Sequence, residues 1–288
     1  MYCGTSGLRD FMYADIMEMA QFSVIMFSFA TILRTFVMIY ILDPLSEIMV
    51  RPERVLKFQQ SAWRFVLYSI ATISSIIVFM TDDTVDFKES SFFENWPLYN
   101  PGSGIKFMYA LYAGFYIHQT VYIFGDERLD DFNEHVFHHA ITLVLVYVSW
   151  VFNFTKIGFF IMTLHDGSDV FLELAKCMNY AKEIRPRLSI ISDVSFIIFA
   201  SSFFYLRLYL YPVYAIGSIV NPYDACAHVS CALYEGGVSY SYCASKPIYT
   251  VAIAALTSLY ILQVMWAGRI INVIAKVIAG NPLEDSRE

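Results

Sequence analysis

The sequence predicts an all-α polytopic membrane protein, a bundle of about seven transmembrane helices. Of its 288 residues, 57% are hydrophobic and only 16% are charged, whereas soluble proteins average about 25% charged residues. Apolar segments of about 20 residues recur along the chain, the length that spans the hydrocarbon core of a bilayer as a helix. These segments are too long and too continuously apolar for the alternating strands of a membrane β-barrel.

Seven ranges have the length of a span, and helix-stopping residues bound several of them. Asp43-Pro44 is expected to end the first span, and Pro186 and Pro212 are expected to bracket the sixth, because proline interrupts helical hydrogen bonding. The predicted spans are 22–42, 61–80, 105–125, 136–152, 157–178, 188–211 and 248–272.

The chain is expected to form one integral membrane unit. Residues 1–51 are the N-terminal segment with the first membrane anchor, 52–278 the transmembrane domain and 279–288 a short tail. Four cysteines would share one side of the membrane, and their disulfide pairing has three alternatives; they are Cys3, Cys226, Cys231 and Cys243.

Charge predicts the orientation and excludes one class of partner. Lys and Arg are more numerous on the side of the membrane that holds the C-terminus. By the positive-inside rule, the C-terminus is therefore cytosolic and the N-terminus luminal. The formal net charge of -7 argues against nucleic acid, which requires a basic face to release counterions.

Polar and ionisable side chains are concentrated in the fourth predicted span with its lead-in and in the fifth, and ionisable groups inside a membrane are costly and functional by default. At about 100° per residue on an α-helix, each set falls within an arc of roughly 100°. The first set is Asp131, His135, His138, His139, Thr142, Ser149 and Asn153, and the second is His165, Asp166, Asp169, Glu173 and Lys176. Two consecutive antiparallel helices thus carry polar stripes that can face each other around a polar-lined cavity.

The alternative is that these groups are buried ion pairs that hold two helices together. This fits Glu173 and Lys176, which are one helical turn apart. It explains the other groups poorly, because small residues join helices at less cost. Outside the stripes, Arg207 and Arg269 are expected to pair or to snorkel at the boundaries. His118, in the third span, either lines the cavity or is a hydrogen-bonded core residue.

Two kinds of chemistry fit the histidines. His135-x-x-His138-His139 matches the histidine box of membrane di-iron enzymes, but those sites need many more histidines than the six in this chain. One metal held by His138, His165 and Asp169 stays open. The other interpretation is a histidine nucleophile that accepts an acyl group from a thioester and passes it to an amine. That reaction needs a dry apolar pocket, since water would otherwise hydrolyse the intermediate.

The two stripes resemble the Lag1 motif of ceramide synthases, in the TLC-domain family. The matching segment is residues 138–176, HHAITLVLVYVSWVFNFTKIGFFIMTLHDGSDVFLELAK. It contains the double histidine, then Thr, Ser and Asn at family spacing, then His-Asp, Ser-Asp and Leu-Glu-x-x-Lys. KFQQSAWRF (57–65) and LRLYLYP (206–212) resemble further parts of the family, so the resemblance covers about residues 52–278.

The resemblance implies an enzyme of the endoplasmic reticulum membrane that N-acylates a sphingoid base (sphinganine or sphingosine) with fatty acyl-CoA. The helix bundle would then enclose a polar-lined cavity for the acyl chain. His138 would be the acylated nucleophile and His139 its essential neighbour. Asp166 and Asp169 would orient the imidazole and assist deprotonation of the amine. The residues implied to support the site or bind substrate are Asp131, His135, Thr142, Asn153, His165, Glu173, Lys176, Arg64 and His118.

The resemblance also implies no metal and no cofactor, since acyl-CoA is a substrate. It implies contact with membrane lipid and leaves room for a homodimer or a heterodimer. Three other functions are alternatives. An elongase-like condensing enzyme would join carbon to carbon, but the His-Asp-x-Ser-Asp segment speaks against it. A non-enzymatic TLC-domain lipid sensor would lack the complete histidine and aspartate set, and a transporter would be expected to show an inverted repeat.

Overall fold

Helices make up most of the described part of the computed structural model. The structure describes residues 5–83, 85, 91–92, 100–126, 130–220 and 246–283, with side chains from residue 16, up to residue 219 before the last gap and from residue 250 after it. Within those ranges there is no β-strand, so the all-α prediction is confirmed. The four cysteines of the predicted disulfides lie outside the described residues.

The described helices follow the predicted spans closely. They are α1 (Thr5–Val37), α2 (Asp43–Met49), α3 (Val55–Thr81), α4 (Ser103–Tyr122), α5 (Phe132–Val151), α6 (Thr155–Ala181), α7 (Leu188–Phe203), α8 (Gly217–Val220) and α9 (Lys246–Ile278). In the described part of the chain, four segments are long and apolar enough to cross a membrane: Ile16–Met49, Pro52–Thr81, Leu188–Ile219 and Thr250–Ile278. Helices α4, α5 and α6 occupy the other three predicted ranges, and the count of seven spans stays a prediction.

Two expected helix ends are wrong, and both involve proline. The first helix continues past Asp43-Pro44 into α2 through a π-helical turn, Met38–Leu42, and the sixth continues past Pro212 within a π-helix, Phe204–Ile216. A π-helical turn changes the hydrogen-bond spacing, so the amide that proline lacks does not break the helix. The predicted break at Pro186 is confirmed, because α7 begins at Leu188.

The outer surface of the bundle is apolar. Large hydrophobic side chains such as Ile32, Met80, Ile190 and Ile278 are 68–81% exposed on the four long apolar segments. Many polar side chains are buried instead, including Gln263 and Ser75. This arrangement suits contact with lipid, because apolar side chains gain nothing from burial when the solvent is hydrocarbon.

Helix α6 is central to the packing, with α3 and α7 as its main neighbours, while α1 packs on α4 and α5 contacts α4, α9 and α1. A close approach between α1 and α4 requires Gly114, because a Cβ atom there would lie 2.8 Å from the carbonyl carbon of Met26. Contacts between chain segments mark one end of the bundle: Arg51 pairs with Glu183 at 2.9 Å, and Lys182 donates to the carbonyl oxygen of Leu283 at 2.8 Å.

Candidate active site

Two adjoining pockets lie inside the bundle. The polar pocket, about 200 Å³, lies towards the end marked by those contacts. Its charged lining among the described residues is Arg34, Arg64, Lys176, Arg207, Arg269, Asp126, Asp131, Asp169 and Glu173. The apolar pocket, about 60 Å³, is lined by residues such as Leu145, Ile161, Leu256 and Leu259. His138 lines both pockets, so its imidazole lies where the polar and apolar spaces meet.

Helices α5 and α6 bring one histidine from each predicted stripe together, His138 and His165. His138 lies in the second turn of α5, and its ring is stacked on that of His165 with centroids 6.3 Å apart. Trp266 of α9 meets the His138 ring edge-on at 5.4 Å. His138 is 9% exposed, and its Nδ1 atom is buried without a hydrogen-bond partner among the described residues. The predicted contact between the two stripes is therefore present at these rings.

His139 turns towards α4 rather than α6. Its Nδ1 atom lies 3.4 Å from the Thr120 hydroxyl, and the ring of Tyr116 meets it edge-on at 5.7 Å. Successive residues on an α-helix point about 100° apart, so adjacent histidines contact different helices. Tyr116 also lies 6.4 Å from the His138 ring centroid and thus packs against both imidazoles.

Neither predicted orienting carboxylate hydrogen-bonds a histidine. Asp169 is paired with Arg207, whose Nη2 atom lies 2.6 Å from Asp169 Oδ1. Asp166 is buried and accepts a hydrogen bond from the Tyr116 hydroxyl at 3.3 Å. The two acids therefore hydrogen-bond other side chains rather than an imidazole, and their roles in orienting the imidazole and deprotonating the amine stay predictions. The ring of Tyr116, whose hydroxyl donates to Asp166, also packs against the rings of His138 and His139.

Arg207 is the buried centre of a small network. It is 4% exposed, and besides Asp169 it donates to the carbonyl oxygen of His165 and to Gln263 Oε1, the latter at 3.4 Å. Its guanidinium lies 5.0 Å above the Phe203 ring. The expectation that Arg207 pairs is confirmed, but it does so inside the bundle rather than by snorkelling at a boundary.

Asp131 and His135 both line the polar pocket. Asp131 pairs with Arg269 at 3.3 Å and with His135 Nδ1 at 3.4 Å, and Arg269 also donates to Glu134 at 2.9 Å. The ring of His135 packs on Trp266, with centroids 5.1 Å apart. Helix α9 is thus joined to the start of α5 by charged groups, and the predicted pairing of Arg269 is confirmed.

The predicted pair of Glu173 and Lys176 is present and buried. Lys176 Nζ lies 2.6 Å from Glu173 Oε1, and Arg64 Nε lies 3.7 Å from Glu173 Oε2. Arg64 also donates to Asp126 at 3.3 Å, and Asp126 pairs with Arg34 of α1 at 3.7 Å. These linked ion pairs run from α6 through α3 to α1 along one wall of the polar pocket.

We expect Glu173→Gln to lower the melting temperature more than Lys176→Met does. Losing Glu173 removes the acid that pairs with the buried Lys176 ammonium, whereas Arg64 keeps Asp126, and breaking a buried ion pair in this way costs about 3 kcal/mol. Losing Lys176 leaves Glu173 with Arg64 as its counter-charge. Thermal unfolding of both variants in detergent measures the difference, and equal shifts would contradict it.

Of the remaining predicted residues, Thr142 lines the apolar pocket, whereas Asn153 is not among the residues that line either pocket. Asn153 is in the turn between α5 and α6, with φ 57°, next to Phe154 of the apolar lining. Its part in the site stays a prediction. His118 lines the polar pocket, but neither ring nitrogen has a hydrogen-bond partner among the described residues. It is a cavity-lining residue rather than a hydrogen-bonded core residue.

The geometry does not favour a metal centre at the predicted positions. Among the described residues, no three His, Cys, Asp or Glu side chains are grouped closely enough to hold a metal ion. His138, His165 and Asp169 therefore do not form a group of metal ligands in the described part of the chain. The carboxylate of Asp169 is instead paired with Arg207.

Sequence reasoning missed three residues that contact the histidines or their partners: Arg207 as a site residue, Tyr116 and Trp266. An arginine inside an apolar span is a signal in its own right, so Arg207 was detectable as a candidate. Its partner was not detectable, because 38 positions separate it from Asp169 and helix periodicity does not reveal which helices touch. The aromatic pair carried no such signal in a chain with 17% aromatic residues.

Comparison with known proteins places these residues in a family context. A family model for the TLC domain matches residues 57–272. Ceramide synthase 1 LOH3 of Arabidopsis thaliana is 34% identical over 175 residues, 58% of this chain and 54% of that protein. Ceramide synthase 4 of Bos taurus is 33% identical over 162 residues, 56% of this chain and 40% of that protein. The matched regions thus span about half the length of these relatives.

A third relative matches over more of the chain. Alternaria stem canker resistance protein 1 of Solanum lycopersicum is 29% identical over 245 residues, which cover 82% of this chain and 74% of that protein. The matched TLC-domain region includes both pocket-forming helices, α5 and α6, and the π-helix that carries Arg207.

Proposed function

The chain belongs to the TLC-domain family, and from this premise we propose that it is a ceramide synthase, which transfers a fatty acyl group from acyl-CoA to the amine of a sphingoid base. The observation that carries the proposal is the position of His138 between a charged pocket and an apolar one. A fatty acyl thioester has the same division, with a polar carrier on one side of its carbonyl and an apolar chain on the other. The similarity to two named ceramide synthases supports the same activity.

The proposed reaction has two acyl transfers. A ring nitrogen of His138 attacks the thioester carbonyl carbon, an acyl C–N bond forms, the C–S bond breaks and the departing CoA thiolate takes up the ring proton. The amine of the sphingoid base then attacks the acyl-imidazole: the amide C–N bond forms, the bond between the acyl carbon and the imidazole nitrogen breaks, and the imidazole regains a proton from the amine. The apolar pocket would hold the start of the acyl chain and keep water from the intermediate.

The neighbours of His138 support this role by holding the ring. Tyr116 and Trp266 pack against it from α4 and α9, and His165 is stacked beside it. His139 and Asp166 both contact Tyr116, so we propose that they position the nucleophile through that ring. We propose no metal and no cofactor, because the nucleophile and its supports are all side chains of this chain.

The polar pocket suits the CoA part of the substrate. Arg64, Lys176 and Arg269 line it, and each of them belongs to an ion pair with an acid of the same lining. Cations of this kind bind phosphate oxygens, so we propose that the CoA phosphates lie beside these three side chains of the polar pocket. The amine substrate would enter the same pocket after CoA leaves.

We propose an endoplasmic reticulum location with seven spans, a luminal N-terminus and a cytosolic C-terminus. The end of the bundle towards which the polar pocket lies would then face the cytosol, where CoA is soluble. His138 lies in the second turn of α5, roughly 10 Å below the start of that helix at 1.5 Å per residue. This depth allows the carrier to stay in water while the acyl chain enters the bundle.

The purified protein, given sphinganine and a panel of acyl-CoAs, is expected to form the amide. Mass spectrometry of the lipid products measures it, with heat-treated protein as the control. A 3-keto acyl-CoA formed with malonyl-CoA would instead indicate the elongase-like alternative. Absence of any product from folded protein would favour the lipid sensor and contradict the proposal.

A further inference from the structure

Besides Nδ1 of His138, the wall of the apolar pocket contains two buried polar atoms that no described residue satisfies. They are Thr142 Oγ1 and His165 Nε2, on side chains that are 8% and 5% exposed. Both side chains line the pocket together with His138. A buried polar atom without a partner costs about 1–3 kcal/mol, so two of them in one apolar pocket require an explanation.

The other hydroxyl groups on this pocket are satisfied within the protein. Ser149 donates to the Val146 carbonyl oxygen at 3.0 Å and lies 3.0 Å from the Tyr109 hydroxyl. Tyr116 donates to Asp166. The unsatisfied atoms are therefore confined to the end of the pocket next to His138, where the acyl carbonyl would lie.

The tautomer of His165 decides what its free nitrogen can bind. Nδ1 lies 2.8 Å from the carbonyl oxygen of Ile161, which only accepts, so Nδ1 carries the proton. In the neutral imidazole, Nε2 is then a hydrogen-bond acceptor. The Thr142 hydroxyl is able to donate. One acceptor and one donor on the same wall are the complement of a hydroxyl group, which donates to the first and accepts from the second.

We propose that the apolar pocket selects acyl chains that carry a hydroxyl group next to the thioester, on carbon 2 or carbon 3; this inference rests on the proposed function. Thr142 is one helical turn beyond His138, about 6 Å along the axis of α5. An acyl chain that starts at His138 and runs into the pocket passes Thr142 with its first carbons. A hydroxyl on one of these carbons reaches both unsatisfied atoms, whereas an unsubstituted chain leaves both unpaired.

The test is a competition between acyl-CoAs of equal chain length. The purified protein receives sphinganine with equal amounts of unsubstituted, (R)-2-hydroxy, (S)-2-hydroxy and 3-hydroxy acyl-CoA, and mass spectrometry measures the ratio of the amide products. We expect one hydroxylated product to exceed the unsubstituted one by about tenfold, the value of one net hydrogen bond. Thr142→Val should bring this ratio close to one, and Thr142→Ser should retain it.

Two further variants separate hydrogen bonding from packing. His165→Phe keeps a ring in place but removes the acceptor, so it should lower the ratio as Thr142→Val does. Ser149→Ala removes a hydroxyl of the same pocket that is already satisfied, so the ratio should not change.

Amide formation without a preference for a hydroxylated chain, or a preference that survives Thr142→Val, would overturn this inference and leave the proposed function intact. No amide from any of the four thioesters would contradict the proposed function itself.

Discussion

Replacement of His138 by alanine is expected to lower the rate of amide formation by more than about a thousandfold, the scale on which enzymes lose activity when their nucleophile is removed. His138 is the imidazole that lines both pockets. Without it, a thioester in the apolar pocket meets no nucleophile at the junction. The measurement is the initial rate with sphinganine and acyl-CoA, for the wild type and the variant at matched protein concentration.

The same variant tests whether the acyl group is carried on the protein. Wild-type protein given acyl-CoA without amine is expected to gain the mass of one acyl group on the peptide that contains His138, and His138→Ala is expected to lose it. Cys177→Ser is the matched control, because Cys177 is a buried free thiol on α6 and is another candidate nucleophile. An adduct that survives in His138→Ala, or that disappears in Cys177→Ser, would contradict the acyl-imidazole.

Helix positions were predictable from the sequence, because lipid imposes a length and an apolar composition on each span. The helix ends at Pro44 and Pro212 were not, since the π-helical turns that accommodate these prolines depend on packing rather than on local propensity. The continuation of the helix through Pro212 affects the candidate active site. The helix that continues through Pro212 also carries Arg207, which lies in the π-helical segment and points to α6.

Periodicity predicted which side chains share a face, but it did not predict their partners. His165, Asp166 and Asp169 lie within one arc of α6, but in the structure each contacts a different side chain. His165 stacks on His138, Asp166 receives the Tyr116 hydroxyl and Asp169 pairs with Arg207. An arc of 100° is wide enough to face several helices in a bundle, so a shared stripe does not establish a shared contact.

Replacement of Arg207 by methionine is expected to destabilise the protein by about 3 kcal/mol, within the range for breaking a buried ion pair. The change leaves the Asp169 carboxylate without its counter-charge and removes the donor to the His165 carbonyl oxygen. Chemical denaturation in detergent micelles measures the loss, with Arg207→Lys as the variant that keeps the charge but not the planar fork.

A double-mutant cycle separates the charge pair from the loss of packing. If Asp169 destabilises the bundle only when Arg207 is absent, Arg207→Met with Asp169→Leu should be more stable than Arg207→Met alone. The rate of amide formation should fall in Arg207→Met and in the double variant. Both lose the guanidinium that donates to the His165 carbonyl oxygen, and the His165 ring is stacked on that of His138. Asp169→Leu alone completes the cycle, and a double variant whose loss of stability equals the sum of the two single losses would show that the pair contributes no coupling. A fully active double variant would show that the network around Asp169 plays no part in positioning the histidines.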